Sequence, residues 1–128
     1  MTHSPYTAAP DGLKLNLLEG LSPQDRKRYP LYDGVVGYFR DALYRVAHVS
    51  WAGNEQHNPG QPLHWARGKS TDQLNCIARH LAEVDTTALT DATEIALAST
   101  AWRALAALQI FLEQRHGLVP PINARSND

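Results

Sequence analysis

Between Gly53 and Lys69 the chain carries Asn54, Glu55, His57, His64, Trp65, Arg67 and Lys69, a dense set of groups able to do chemistry. Glu55 offers the hard carboxylate oxygen that Mg²⁺ or Mn²⁺ takes, and His57 suits Mn²⁺ better than Mg²⁺. Trp65 presents a flat face on which a base can stack. Arg67 and Lys69 supply charge for phosphates just before the start of a helix, whose free N–H groups also attract anions. The order Gly68-Lys69-Ser70 is only superficially that of a P-loop, because the upstream glycine and the preceding strand are missing. The plain alternative is a structural loop, in which Asn side chains satisfy turn backbone and Trp65 is an anchor.

Further along, Asp72 and Arg79 share a polar helix face, while Glu83, Asp85, Asp91 and Glu94 gather about a turn. Paired carboxylates on adjoining helices are what a multi-Mg²⁺ site needs, since two or three cations on a triphosphate require several anionic oxygens. The same acids are equally ordinary charges at a helix start. Cys76, the single cysteine, stands among helix-core residues and reads as packing. One cysteine makes neither an intrachain disulfide nor a thiolate zinc site, and a reducing, cytoplasmic setting is expected.

The elements that must position these groups are helical. Pro23-Gln24-Asp25-Arg26 reads as one turn capped by Ser22. A first long helix is expected from Asp33, with Val35, Val36, Phe39, Leu43, Val46 and Ala47 at spacings of three and four, ending at Gly53. Residues 53–69 hold too many glycines and prolines for a regular helix and are expected to form an ordered, site-forming loop. Ser70 should cap a second helix whose Leu74, Ile77, Ala78 and Leu81 make a one-sided apolar stripe. After Asp85-Thr86-Thr87, a third helix runs from Thr90 or Asp91 to His116, where Gly117 and Pro120-Pro121 stop it. Its main face is expected to be Ile95, Ala98, Trp102, Leu105, Leu108 and Leu112, and its many alanines allow neighbours to approach closely.

No stretch alternates as a strand, so the expected fold is all-α. Residues 1–28 form an arm with a short helical turn, 29–117 the helical domain and 118–128 a tail, which should fray from Asn123. With 128 residues there is one core and not two. A formal net charge of −1 argues against a nucleic-acid or anionic-membrane binder. Ile95 to Leu112, interrupted by Ser99, Thr100, Arg103 and Gln109, reads as too polar to span a bilayer. Three helices with wide apolar faces make a thin bundle, so part of the third helix is expected to be covered in a homo-oligomer, a dimer or tetramer.

From Tyr29 to Leu112 the sequence resembles the phage and bacterial dATP/dGTP diphosphohydrolases, relatives of the all-α MazG nucleotide pyrophosphatases. The resemblance is carried by Tyr38-Phe39-Arg40-Asp41-Ala42-Leu43, Val46-Ala47-His48-Val49-Ser50, Gly53 to Gly60, Pro62 to Asp72, Arg79-His80-Leu81 and Ala101-Trp102-Arg103-Ala104-Leu105. It implies a MazG-like helical bundle with a long ordered loop between the first two main helices. It implies cleavage of a purine (deoxy)nucleoside triphosphate to monophosphate and pyrophosphate with Mg²⁺ or Mn²⁺. On that reading Glu55 and Asp72 are catalytic and hold metal, with Asp41, Glu83 and Asp91 as further ligands. Arg67, Lys69 and Arg79 hold phosphates, and Asn54, His57 and Trp65 line the nucleotide pocket.

The chain departs from the family pattern where ligands are expected. Arg45 stands in place of an acid, Gln73 and Asn75 in place of a histidine and an acid, and Ala96 and Ser99 in place of a histidine and a lysine. The alternative these changes favour is a non-catalytic protein that binds, sequesters or senses nucleotide on the same fold.

Overall fold

The structure is a computed structural model that describes residues 12–69 and 71–125. The expectations made for the first eleven residues, for Ser70 as a cap and for residues 126–128 lie outside the described residues. Four α-helices follow in order: α1 (Pro23–Arg26), α2 (Arg40–His57), α3 (Gln73–Leu81) and α4 (Asp91–His116). A π-helical turn, Tyr32–Val36, precedes α2, and a 3₁₀ turn, Arg67–Lys69, precedes α3. The sole β-pairing among the described residues is an isolated parallel bridge between Lys14 and Leu118. The chain is all-α.

α4 is the axis of the fold. α2 runs beside it in the same direction: Arg45 reaches Glu94 at 2.7 Å, and further along both helices the Trp102 indole N–H donates to the Ser50 hydroxyl. α3 runs the opposite way. Its first residue, Gln73, accepts from Arg103 at 3.2 Å, while Asp85, beyond its end, exchanges hydrogen bonds with Thr93 at 3.0 Å. Thr87 donates both its hydroxyl and its N–H to the Asp85 carboxylate, which holds that acid below the ordinary carboxylate value. Thr90 then caps α4 by accepting from the Thr93 N–H.

Beyond α4 the chain turns back through Gly117, whose φ of +64° suits glycine alone at no cost. Its carbonyl accepts from the Lys14 N–H at 2.8 Å, and the Val119 N–H returns to the Lys14 carbonyl at 2.8 Å. The N-terminal arm is thereby fastened to the segment after α4. Gly117→Ala is expected to cost about 1 kcal/mol, because the left-handed turn must survive with a Cβ. A urea titration checks this through the midpoint, with the slope unchanged.

Several boundaries and faces differ from expectation. α2 begins at Arg40 rather than near Asp33, because Phe39, at φ −120° and ψ 35°, breaks it from the π-helical turn. It does not end at Gly53, whose backbone is not left-handed; the stop falls at Asn58, before Pro59 and Gly60 at φ +76°. Asn54, Glu55, Gln56 and His57 are therefore helical, and the loop is the shorter run after them. α3 follows Asp72, and its apolar stripe is turned outward, with Leu74 at 74% exposure. Gln73 and Cys76 face inward instead, the glutamine being held there by Arg103.

On α4 the expected face is met in part: Ala98 is buried and Trp102 meets α2, but Ala96 and Ala106 are buried as well while Ile95, Leu105 and Leu108 are exposed. Two neighbours cannot surround a helix of 26 residues, and they settle where small residues allow the backbones closest together. The tail is tied down through Ala124 rather than frayed, since the Trp65 N–H donates to the Asn123 carbonyl at 2.8 Å and Ala124 is buried. α4 is long and apolar enough to cross a membrane by length and composition, with a mean hydropathy of 1.5 over its most apolar window. Its polar interruptions, expected to forbid this, do not do so by that measure.

Candidate functional site

The C-terminal turns of α2, the loop after them, the C-terminal half of α3 and the middle of α4 surround a cavity of about 560 Å³. Because α2 continues through Gly53, Asn54 and His57 fall one turn apart on one helical face. Both line the cavity, together with Trp65 and Lys69 from the loop and Arg79 from α3. Five residues named from the sequence as nucleotide contacts thus meet in one place.

The cavity floor is built from paired aromatic and amide groups. Trp65 meets Trp102 edge to face, with ring centroids 5.8 Å apart. The Asn54 amide donates to the Gln61 carbonyl at 2.9 Å and so fixes the start of the loop. Asn54 is 7% exposed, and its Oδ1 is buried without a hydrogen-bond partner. An unsatisfied buried acceptor costs about 1–3 kcal/mol, and this one is closed to the solvent that fills the cavity.

Charge on the lining has one sign. Lys69, Arg79 and Arg103 contribute cations, His57, His64 and His80 add imidazoles, and no carboxylate lines the cavity among the described residues. Arg103 donates to Gln73 and lies 5.3 Å from the Trp102 ring centroid. Arg79 lies 3.1 Å from the Cys76 sulfur. Arg103 was missed by the sequence reading of binding residues. Its signal was a lone charge inside an apolar run, which requires a polar partner or an opening to solvent.

Arg67 is placed elsewhere. Its guanidinium meets Glu113 through two hydrogen bonds of 2.6 and 2.8 Å and also donates to the Ala124 carbonyl. The two side chains are 14% and 9% exposed. The guanidinium also covers the Trp65 ring at 4.2 Å from its centroid. With its charge neutralised on the α4 side, Arg67 fastens the loop and braces Trp65, and it does not line the cavity.

The expected metal ligands are spread along the helices. Asp41 begins α2 beside Arg40 at 3.3 Å, and Glu55 lies 14 residues on, roughly 21 Å along the axis. Asp72 precedes α3 and Glu83 follows it, while Asp91 opens α4 at the Glu83 end. Glu55 directly follows the cavity-lining Asn54, and Glu83 follows the cavity-lining His80 by one turn, but none of the five carboxylates lines the cavity. Among the described residues no three His, Cys, Asp or Glu side chains come together as a metal-holding group. Within one chain the residues therefore do not fit a multi-metal centre.

The positions that depart from the family pattern are taken up by other contacts. Arg45 neutralises Glu94, and the Asn75 amide donates to both Asp72 carboxylate oxygens at 2.9 and 2.8 Å. Gln73 accepts from Arg103, Ala96 is buried against the bundle, and Ser99 lines the cavity. A second cavity, about 1010 Å³ and mainly apolar, lies between the arm and the C-terminal end of α4, lined by Leu15, Leu18, Leu31 and Leu112 among others. It contains none of the expected site residues. Compared with protein-family models, with curated proteins and with solved structures, the chain matches none.

Proposed function

We propose that this protein is a cytoplasmic, MazG-like bundle that binds a purine (deoxy)nucleoside triphosphate in the cavity between α2, α3 and α4. The carrying observation is the meeting of Lys69, Arg79 and Arg103 with an edge-to-face pair of tryptophans around one cavity. The cations match a polyphosphate, and the cavity's volume falls within the usual ligand range of about 300–1,000 Å³.

Binding without cleavage is the reading the geometry favours within one chain. A water attacking phosphorus needs its proton removed and the developing charge met, and no carboxylate lines this cavity among the described residues. Metal-dependent hydrolysis to monophosphate and pyrophosphate is the second reading. It is favoured by the position of Glu55, which directly follows the cavity-lining Asn54. In that case Mg²⁺ or Mn²⁺ would supply the neutralising charge.

A chromatographic assay with each nucleoside triphosphate, in Mg²⁺, in Mn²⁺ and in EDTA, separates the two. Intact purine triphosphate that elutes bound to protein in EDTA supports the first reading. Metal-dependent monophosphate and pyrophosphate, lost in Glu55→Gln and Asp72→Asn, establishes the second. Triphosphate that neither binds nor reacts removes both.

A further inference from the structure

The apolar cavity of about 1010 Å³ beside the N-terminal arm shares no lining residue with the cavity between α2, α3 and α4. It exists because neither α1 nor the π-helical turn packs directly on α4, so Leu15, Leu18, Leu31 and Leu112 line a gap between them. The backbone holds its walls in place. Lys14 is fastened to Gly117 and Val119, and the Leu21 N–H donates to the Leu18 carbonyl at 3.1 Å. The volume stands at the top of the usual range for ligand sites, about 300–1,000 Å³.

Besides the Tyr29 hydroxyl, four polar side chains line this cavity: Asn16, Glu19, Arg26 and Gln109. Three of them are committed elsewhere. Asn16 Oδ1 accepts from the Leu18 N–H at 2.9 Å, the Glu19 carboxylate accepts from the Leu15 N–H, and the Gln109 amide donates to Glu113 at 2.9 Å. The Arg26 guanidinium has no hydrogen bond or ion pair among the described residues, and the acid next to it, Asp25, faces Arg28 at 3.8 Å.

We propose that this cavity binds a single-chain alkyl carboxylate, with the chain among the leucines and the carboxylate on Arg26. A guanidinium takes both oxygens of a carboxylate through parallel N–H bonds. An alkyl chain asks for no hydrogen bonds, which suits a lining whose other polar groups are already engaged. A peptide segment is the poorer occupant, because it would bring in N–H and C=O groups that this lining leaves unsatisfied. One cation, with Glu19 also on the lining, matches a head group of one negative charge rather than a polyphosphate.

This inference stands apart from the nucleotide reading, because the two cavities are lined by different residues. Calorimetric titration of the full chain with hexanoate, octanoate and decanoate, each below its micelle concentration, is expected to show one saturable site. Each added CH₂ should tighten binding about fourfold. Arg26→Gln should weaken decanoate binding roughly tenfold. Leu31→Glu should abolish it while keeping the helical circular dichroism, since Leu31 is 68% exposed and carries little of the fold. Leu74→Glu, on the outward stripe of α3, should bind decanoate as wild type does. Decyltrimethylammonium, with the same chain and the opposite charge, should bind far more weakly, and dATP should not displace decanoate. Absence of a saturable site, equal affinity for the two head groups, an unchanged Arg26→Gln, a loss at Leu74→Glu equal to that at Leu31→Glu, or displacement by dATP overturns the proposal.

Discussion

Replacing Glu113 by alanine is expected to destabilise the fold by about 3–5 kcal/mol, a large share of a small domain's total stability. The loss comes less from the attraction removed than from what stays behind. Arg67 is 14% exposed, and without Glu113 its guanidinium sits away from water with no counter-charge. Gln109 loses an acceptor at 2.9 Å as well. Replacing both charges, as Arg67→Met with Glu113→Leu, should recover most of the loss, since a well-packed apolar pair often equals a buried ion pair. Urea titrations of the single and double variants measure the difference. A Glu113→Ala shift under about 1 kcal/mol would mean that water reaches Arg67 and that the loop is fastened in some other way. Because Arg67 also covers Trp65, the single variant should bind nucleotide more weakly even where it stays folded.

Lys69→Ala combined with Arg79→Ala is expected to weaken triphosphate binding by roughly 10²–10⁴-fold. Each hydrogen bond to a charged group is worth about 1.5–3 kcal/mol, and every 1.4 kcal/mol is a factor of ten. Both residues are exposed at the cavity mouth, so stability should move by less than about 0.5 kcal/mol. A deoxynucleoside without phosphates should lose far less affinity than its triphosphate, which separates lost phosphate contacts from a damaged base site. Calorimetric titration of both ligands reads this directly. Equal losses for the two would place the phosphates away from Lys69 and Arg79.

The helices were legible because local chemistry fixes them. Ser22 beside Pro23 reads as a cap and Gly117 before Pro120-Pro121 as a stop, and each does that here. The faces were less so. The Leu74/Leu81 stripe is a clean amphipathic pattern, yet periodicity states only that one side differs from the other. It cannot say whether the apolar side meets its own chain or another molecule. Gly53 misled for a related reason: a glycine permits a left-handed stop without compelling one, and here the helix runs on to His57.

At the site, residue types gave the lining well and the pairing poorly. Asn54, His57, Trp65 and Lys69 lie near one another in sequence, so their convergence needs little long-range information, whereas Arg79 joins them from the last turn of α3. Arg67 looked equivalent to Lys69 two positions on. Its role depends on Glu113, 46 residues away, and no spacing rule reveals that contact. The carboxylates show the reverse case. Glu83 follows the cavity-lining His80 by one turn, yet neither it nor Asp91 lines the cavity.

The central claim is that the cavity between α2, α3 and α4 holds a purine nucleoside triphosphate without needing a metal. Calorimetric titration of the wild-type chain with dATP and with dGTP in EDTA tests it most directly. The account predicts saturable binding that Lys69→Ala with Arg79→Ala abolishes and that Asn54→Leu weakens. Absence of heat and of bound nucleotide for both purines, in EDTA and in Mg²⁺ alike, would contradict it.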